Sequence, residues 1–192
     1  MQEAQFNNAD WQLSICPTDT LWGMVAKFSQ ANQEKIYQLK ERDRDKPLIL
    51  FAQSIDTIKN YVDEWNDEID ELAIKHWPGA LTLVLKRGKN LPAWLNPGFD
   101  FIGFRIPVFG FEQPDLFAGQ EFLLSTSANL SGEPAVETYE QASEQFSNKV
   151  DLIIKPKADF QFSNLGSTVV KIEGSDINVL RQGEIKIESL KN

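Results

Sequence analysis

The feature that most constrains the fold is the alternation of short apolar segments with segments that carry a helical stripe. Residues 11–16 alternate large apolar side chains with small or polar ones, which is typical of a half-buried strand. Further strands are predicted at residues 47–52, 80–87, 99–107, 121–124, 150–154, 167–172, 177–180 and, last, near 184–187. Helices are predicted after the candidate caps Ser29 or Asn32, Ser54 and Asn66, and over residues 138–146. This order predicts a mixed α/β domain in which helices pack against a sheet.

Size and composition narrow the class of protein. A chain of 192 residues with 42% hydrophobic residues favours one domain with a substantial core. Its longest apolar runs are too short to cross a bilayer, and residues 1–10 lack the basic start and apolar segment of a secretory signal. The single cysteine, Cys16, and single histidine, His76, exclude a cysteine–histidine zinc site within one chain. We therefore expect a cytoplasmic protein with no membrane segment.

The distribution of charge points to a local anion site. The net charge of -9 disfavours general binding of nucleic acid, because an acidic surface repels phosphate backbones. Four cations nevertheless fall in one short stretch, at Lys40, Arg42, Arg44 and Lys46. The stretch has two interpretations, a solvated charged loop at a helix end or a polyphosphate site in which arginine supplies bidentate geometry and lysine a mobile charge.

Other polar segments follow predicted strands. Residues 17–20, Pro-Thr-Asp-Thr, form either a self-bonded turn, which residue chemistry alone favours, or a loop that binds a polar ligand. Residues 125–132 are rich in hydroxyls before a glycine, as in a phosphate cradle or in an ordinary serine-rich loop. The chain has neither a Walker-type nor a Gly-x-Gly-x-x-Gly motif. His76, beside the Trp-Pro-Gly of residues 77–79, is better explained by packing or capping than by catalysis.

Taken in order, the motifs are specific as a set. They are Pro-Thr-Asp-Thr at 17–20, Lys40-x-Arg42 with Lys-Pro-Leu at 46–48, Trp-Pro-Gly-Ala-Leu-Thr at 77–82, Gly-Phe-Arg-Ile-Pro at 103–107, Ser-Thr-Ser-Ala-Asn-Leu-Ser-Gly at 125–132, Ser-Thr-Val-Val at 167–170 and Leu-Arg-Gln-Gly at 180–183. Together they resemble the YrdC/Sua5 family, the threonylcarbamoyl-adenylate synthases. The resemblance spans residues 13 to 185, nearly the whole chain.

The resemblance implies a fold and an activity. The expected fold is a YrdC/RibB-like twisted mixed β-sheet, flanked by helices around a concave basic cavity. The expected organisation is a single domain over residues 1–192, with its core at about 11–188 and without the C-terminal extension of the long Sua5 forms. The expected enzyme is a nucleotidyltransferase that makes threonylcarbamoyl-AMP and pyrophosphate from L-threonine, bicarbonate or CO2, and ATP. In the family this product feeds a separate transferase complex that modifies adenosine 37 of tRNA, so tRNA binding by this chain is expected to be weak or indirect.

The resemblance also implies roles for particular residues. Thr20, Arg105 and Ser167 match threonine-binding positions, with Arg105 paired to the amino-acid carboxylate. The ATP-binding positions are matched by Arg42, Lys46, Ser127, Asn129 and Arg181. The positions expected to carry catalysis are Lys40, Arg42, Ser127 and Asn129. No metal ligand is expected from protein side chains, and Mg2+ is expected to accompany ATP.

Several positions depart from the family pattern. Phe51 stands where some members have a histidine near threonine, and Ala135 stands where many have a serine, so that Thr138 is a candidate to replace the hydroxyl. The segment 108–119 is shorter and less helical than usual, and residues 1–10 are too short and polar for the usual first helix.

Two other functions share the expected fold. One is a carbamoyl-adenylate-forming enzyme with a different acceptor, as in the YrdC-like domain of hydrogenase maturation proteins. The other is a double-stranded RNA-binding module, which the net charge of -9 makes less favourable.

Overall fold

The computed structural model describes residues 11–110, 116–130 and 132–186. The strands, in chain order, are β1 Leu13–Pro17, β2 Trp22–Lys27, β3 Ile49–Ala52, β4 Leu81–Lys86, β5 Phe101–Arg105, β6 Phe122–Ser127, β7 Leu152–Ile153, β8 Thr168–Glu173 and β9 Asp176–Arg181. The helices are α1 Gln30–Lys40, α2 Ile55–Lys59, α3 Asp67–His76 and α4 Tyr139–Phe146. No helix within these described ranges is long and apolar enough to cross a membrane.

The nine strands form one mixed sheet. Their order is β7-β1-β2-β6-β3-β5-β4-β8-β9. The pairs β1–β7, β3–β5 and β4–β8 are parallel, and the other pairs are antiparallel. The large sheet flanked by helices confirms the expected mixed α/β architecture.

The two faces of the sheet have different surroundings. In β5, Ile102 and Phe104 belong to the main core, together with side chains of the four helices. Their neighbours Gly103 and Arg105 face the opposite side, where they line a cavity. Because alternate residues of a strand point to opposite faces, the same strands build both the core and the cavity. Phe51 of β3 is the register partner of Arg105, so main-chain pairing sets these two side by side.

Helix starts follow the local chemistry that the sequence predicts. Ser29, Ser54 and Asn66 each accept a hydrogen bond from a main-chain N–H three residues later, and Thr138 does the same for α4. Helix α1 ends at Glu41, which adopts a left-handed conformation with a φ of 49°. Ser29, rather than Asn32, is therefore the cap of α1.

One strand of the structure was not predicted, and one predicted strand is absent from the described residues. Strand β2 was not predicted, because its first five residues are buried and the alternation of a half-buried strand is absent. The strand predicted near 184–187 is absent from residues 184–186, and residue 187 lies outside the described residues. The prediction that residues 1–10 form no helix concerns residues outside the described ranges. Of the segment 108–119, predicted to be less helical than usual, residues 111–115 also lie outside those ranges, and residues 108–110 and 116–119 contain no helix.

Candidate functional site

A cavity of about 460 Å³ lies on the sheet face opposite the main core. It is lined by residues of β2, β3, β4, β5, β6, β8 and β9, by the loop after β1 and by the basic loop after α1. Among its lining side chains are Thr18, Thr20, Arg42, Phe51, Thr82, Arg105, Thr126, Ser127, Ser167 and Arg181. Six of the nine predicted site residues line this cavity; Lys40, Lys46 and Asn129 do not.

Arg105 is held in the cavity wall by three hydrogen bonds. Its Nε donates to the carbonyl oxygen of Gly79 (2.9 Å), its Nη1 to Oγ1 of Thr20 (2.8 Å) and its Nη2 to Oδ1 of Asp19 (2.6 Å). The Arg105 side chain is 4% exposed. Since a guanidinium has five N–H groups, two remain beyond these three contacts. Arg105 is thus a nearly fixed cation that can still bind an anionic group.

The buried Asp19–Arg105 pair has opposing electrostatic influences. Burial raises the pKa of the Asp19 carboxyl, while the Arg105 cation and the N–H of Val108 act to lower it. Burial also lowers the pKa of Arg105, although a guanidinium stays protonated in proteins. The two side chains lie 2.6 Å apart as a salt bridge, and their attraction offsets part of the cost of burying each charge.

Ser167 and Arg181, two of the predicted site residues, are bonded to each other where β8 begins and β9 ends. The Oγ of Ser167 lies 2.8 Å from Oγ1 of Thr82, and the carbonyl oxygen of Ser167 accepts hydrogen bonds from Nε and Nη2 of Arg181 (3.1 and 2.8 Å). Gly183 packs so closely here that a Cβ on it would lie 2.1 Å from the carbonyl oxygen of Gly166. The glycine of the Leu-Arg-Gln-Gly motif is therefore needed for the close approach of two main-chain segments.

Lys40 lies inside the protein rather than in the cavity wall. Its Nζ donates to the carbonyl oxygens of Ser127 and Asn129 (both 2.6 Å) and to Oδ1 of Asn129 (2.7 Å). Three acceptors match the three N–H groups of an ammonium. Burial, and secondarily the Arg42 cation, lower the pKa of Lys40 to about 7. Lys40 thereby connects the end of α1 to the Ser-x-Asn segment.

The Ser-x-Asn segment is held by a second set of contacts. The hydroxyl of Ser127 donates to Oδ1 of Asn129 (2.6 Å), and Nδ2 of Asn129 donates to the carbonyl oxygens of Leu130 and Glu133 (2.9 and 2.6 Å). Asn129 shapes the loop, and Ser127 lines the cavity.

The four clustered cations have different environments. Arg42 lines the cavity; its Nε donates to the carbonyl oxygen of Lys46 (3.0 Å), and its Nη1 to Oγ1 of Thr126 (3.3 Å). Arg44 instead forms a surface ion pair with Glu34. Lys46 is half-exposed, with its Nζ 3.8 Å from Asp43. The structure therefore brings Arg42 and Ser127 into one cavity, while a contact of Lys40 or Lys46 with ATP stays a prediction.

Asn96 is a buried residue that the sequence reasoning did not identify. Its Oδ1 accepts from the N–H of Leu48 (3.0 Å), and its Nδ2 donates to the carbonyl oxygen of Leu48 (2.8 Å). It is 1% exposed and has a φ of 40°. The sequence Asn-Pro-Gly at 96–98 could have indicated a turn at this position, because asparagine tolerates a positive φ. Asn96 thus supports the main chain that follows the basic loop.

The residues that depart from the family pattern have distinct environments. Phe51 lines the cavity and is 2% exposed, with its ring centre 5.9 Å from Cζ of Arg105. The hydroxyl of Thr138 accepts a hydrogen bond from the N–H of Gln141 as the cap of α4, and Thr138 is not part of the cavity wall. Its proposed replacement of the missing hydroxyl at Ala135 stays a prediction. His76 ends α3, away from the cavity wall.

The described side chains contain no cluster of three metal-ligating groups. Over residues 11–110, 116–130 and 132–186, no three His, Cys, Asp or Glu side chains are grouped so that they could hold a metal ion.

Sequence comparisons identify relatives that match most of this chain. The family model described as "Telomere recombination", which covers the Sua5, YciO and YrdC proteins, matches residues 12–183. The threonylcarbamoyl-AMP synthase of Pyrococcus abyssi is 29% identical over 183 residues, which cover 94% of this chain and 53% of the relative. The threonylcarbamoyl-AMP synthase of Vibrio cholerae is 29% identical over 170 residues, which cover 87% of this chain and 88% of the relative. The chain therefore spans about half the length of the archaeal relative and most of the bacterial one.

Solved structures agree with the sequence comparisons. The structure of P. abyssi Sua5 complexed with L-threonine has a TM-score of 0.82 and 27% identity, covering 94% of this chain and 53% of that one. E. coli YciO has the same fold, with a TM-score of 0.80 and 23% identity over 94% of this chain and 87% of that one. Since the family model matches nearly the whole sequence and the fold agrees, this chain belongs to the Sua5/YciO/YrdC family.

Proposed function

We propose that this protein is a threonylcarbamoyl-AMP synthase, which joins L-threonine, bicarbonate or CO2, and AMP from ATP, with release of pyrophosphate. The observation that carries the proposal is that two anion-binding groups face one cavity. Arg105 and Thr20 are bonded to each other in the cavity wall, and Arg42 and Ser127 line the same cavity; the part lined by Arg42 and Ser127 is here called the nucleotide end. The named activity of the relatives and the threonine in the P. abyssi complex support the same reaction.

The reaction requires two anions to be held close together. The neutral amine of threonine adds CO2 and loses a proton to give a carbamate. A carbamate oxygen then attacks the α-phosphorus of ATP, and the bond to the β-phosphate bridging oxygen breaks as pyrophosphate leaves. No covalent enzyme intermediate is needed, so the protein contributes mainly positioning and charge stabilisation.

The described residues suit these tasks. Arg105 would bind the threonine carboxylate through its remaining N–H groups, and the hydroxyls of Thr20 and Ser167 would orient the polar atoms of the amino acid. Arg42, Ser127 and Arg181 would contact the nucleotide, with Lys46 at the rim. Lys40 and Asn129 would hold Ser127 in place, because their polar groups bond to that segment within the protein. Their expected part in catalysis would then depend on Ser127, while a direct contact of either with the phosphates stays a prediction.

We propose that residues 1–192 act as one YrdC-like domain in the cytoplasm and that Mg2+ enters with ATP. The product would pass to a tRNA-modifying transferase. Direct tRNA binding would be weak, because the chain carries a net charge of -9.

Pyrophosphate release tests the proposal directly. The full chain is incubated with ATP, bicarbonate and L-threonine, and each substrate is omitted in turn. We expect pyrophosphate only when all three are present, together with threonylcarbamoyl-AMP in the mass spectrum. Pyrophosphate without threonine dependence would indicate a different acceptor, and salt-sensitive RNA binding without ATP turnover would favour the binding module.

The Arg42→Ala variant tests the nucleotide end of the cavity. We expect a raised KM for ATP, because a charged hydrogen-bond donor is lost from that end. Arg44→Ala is the matched control, since Arg44 pairs with Glu34 on the surface. Equal kinetics in the two variants would contradict the assignment of Arg42.

A further inference from the structure

Asp19 lies behind Arg105 and does not line the cavity. Its Oδ1 accepts hydrogen bonds from Nη2 of Arg105 (2.6 Å) and from the N–H of Val108 (3.2 Å). The side chain of Asp19 is 18% exposed, against 4% for Arg105. The carboxylate therefore bonds the guanidinium from outside the cavity wall.

The main chain of Asp19 is also held in place. Its N–H donates to the carbonyl oxygen of Val108 (2.9 Å), and its carbonyl oxygen accepts from the N–H of Ser163 (3.1 Å). Three separate segments thus meet at this residue. With its main chain held and its Oδ1 also bonded to the N–H of Val108, the carboxylate presents its oxygen to Arg105 in a defined direction.

The contacts of Arg105 determine which donors remain for a ligand. Gly79 and Thr20 take one N–H each from Nε and Nη1, and Asp19 takes one from Nη2. Without the carboxylate, the guanidinium could rotate or draw back, and the two remaining N–H groups would lose their direction. A bidentate carboxylate contact depends on that direction.

We propose that Asp19 is a positioning residue that orients Arg105 for recognition of the amino-acid carboxylate. This inference rests on the proposed function, because it assumes that Arg105 binds that carboxylate. Asp19 acts through Arg105 and has no contact with the nucleotide end of the cavity. Its loss should therefore affect the two substrates unequally.

Two substitutions separate the hydrogen bond from the charge. Asp19→Ala removes the acceptor and should raise the KM for threonine by about 10- to 100-fold, as expected for the loss of a charged hydrogen bond. Asp19→Asn keeps an acceptor oxygen and should raise the KM for threonine by only about threefold. In both variants the KM for ATP should stay within about twofold of the wild-type value. Asp63→Asn is the matched control, since Asp63 pairs with Lys86 at an exposed site.

The experiment uses the full chain and measures pyrophosphate release, threonine binding by calorimetry and thermal unfolding. Unchanged threonine KM in Asp19→Ala, or equal increases in the KM for threonine and ATP, would overturn the positioning role. If Asp19→Ala does not fold, the Asp19→Asn variant decides the question. A ratio of the KM for threonine to the KM for ATP that is the same in Asp19→Asn as in the wild type would overturn the positioning role. Wild-type protein that neither releases pyrophosphate nor binds threonine would instead overturn the proposed function.

Discussion

Lys40 and Asn129 are joined twice: Nζ of Lys40 lies 2.6 Å from the carbonyl oxygen of Asn129 and 2.7 Å from its Oδ1. A third contact reaches the carbonyl oxygen of Ser127 at 2.6 Å. The lysine at the end of α1 is therefore an internal brace for the segment that presents Ser127 to the cavity. This relationship suggests an effect on stability as well as on activity.

Replacement of Lys40 by methionine should destabilise the protein. The change removes the ammonium that donates to three oxygens, although Oδ1 of Asn129 keeps the Ser127 hydroxyl and the carbonyl oxygen of Ser127 keeps the N–H of Asn129. The expected loss is about 1 to 3 kcal/mol in the free energy of unfolding. Urea unfolding followed by tryptophan fluorescence measures this loss. Lys46→Met is the control, because Lys46 is half-exposed, and we expect a change below about 0.5 kcal/mol there. Similar stability of the two variants would contradict the brace.

The pH dependence of stability should show the lowered pKa of Lys40. The pKa of about 7 in the folded protein lies below the ordinary lysine value of 10.5. Between these values the unfolded chain binds a proton that the native protein lacks, so the contribution of Lys40 to the free energy of unfolding rises with pH. The stability of wild type relative to Lys40→Met should therefore increase from pH 7 to 10. A stability difference between wild type and Lys40→Met that does not change with pH would show that the three oxygen acceptors keep the ammonium of Lys40 protonated.

Gly183→Ala should perturb the ends of β8 and β9. A Cβ at this position would lie 2.1 Å from the carbonyl oxygen of Gly166, so the main chain that carries Ser167 must move. We expect a loss of about 1 to 3 kcal/mol in the free energy of unfolding and a raised threonine KM. Gly23→Ala is the control for stability, since a Cβ there meets its nearest neighbour at an ordinary 3.4 Å. Equal stability of the two variants would contradict this prediction.

Asn96→Ala should weaken the nucleotide end of the cavity. Asn96 binds both main-chain polar groups of Leu48, and the preceding carbonyl oxygens of Lys46 and Pro47 accept hydrogen bonds from Arg42. We expect the KM for ATP to rise by more than that for threonine, because only the nucleotide end loses its support. Asn90→Ala is the control, an exposed loop asparagine bonded to the carbonyl oxygen of Asn60. Equal effects on both substrates would indicate general damage.

Local chemistry made much of the fold predictable. The side chains of Ser54 and Asn66 cap helices by accepting hydrogen bonds from residues only three positions later, so a short sequence pattern reveals them directly. Strand β2 was missed because its first five residues are buried, and periodicity distinguishes only half-buried strands.

The direction of each charged side chain was not predictable in the same way. Arg42 faces the cavity and Arg44 the surface, although they lie two residues apart in one charged loop. The difference arises from distant partners, Thr126 for Arg42 and the α1 residue Glu34 for Arg44. The Asp19–Arg105 pair likewise joins residues 86 positions apart in the chain. Such contacts depend on the order of strands in the sheet, which composition and spacing do not specify.

The register of β3 with β5 limits how this protein can vary. Phe51 and Arg105 are paired through the main chain, and their neighbours Leu50 and Phe104 are paired on the core face. A single inserted residue within β5 would shift the strand by one position, so that Arg105 would point into the helix layer and an apolar side chain would enter the cavity. We therefore expect related chains to differ in loop length around this cavity but to keep the lengths of β3 and β5.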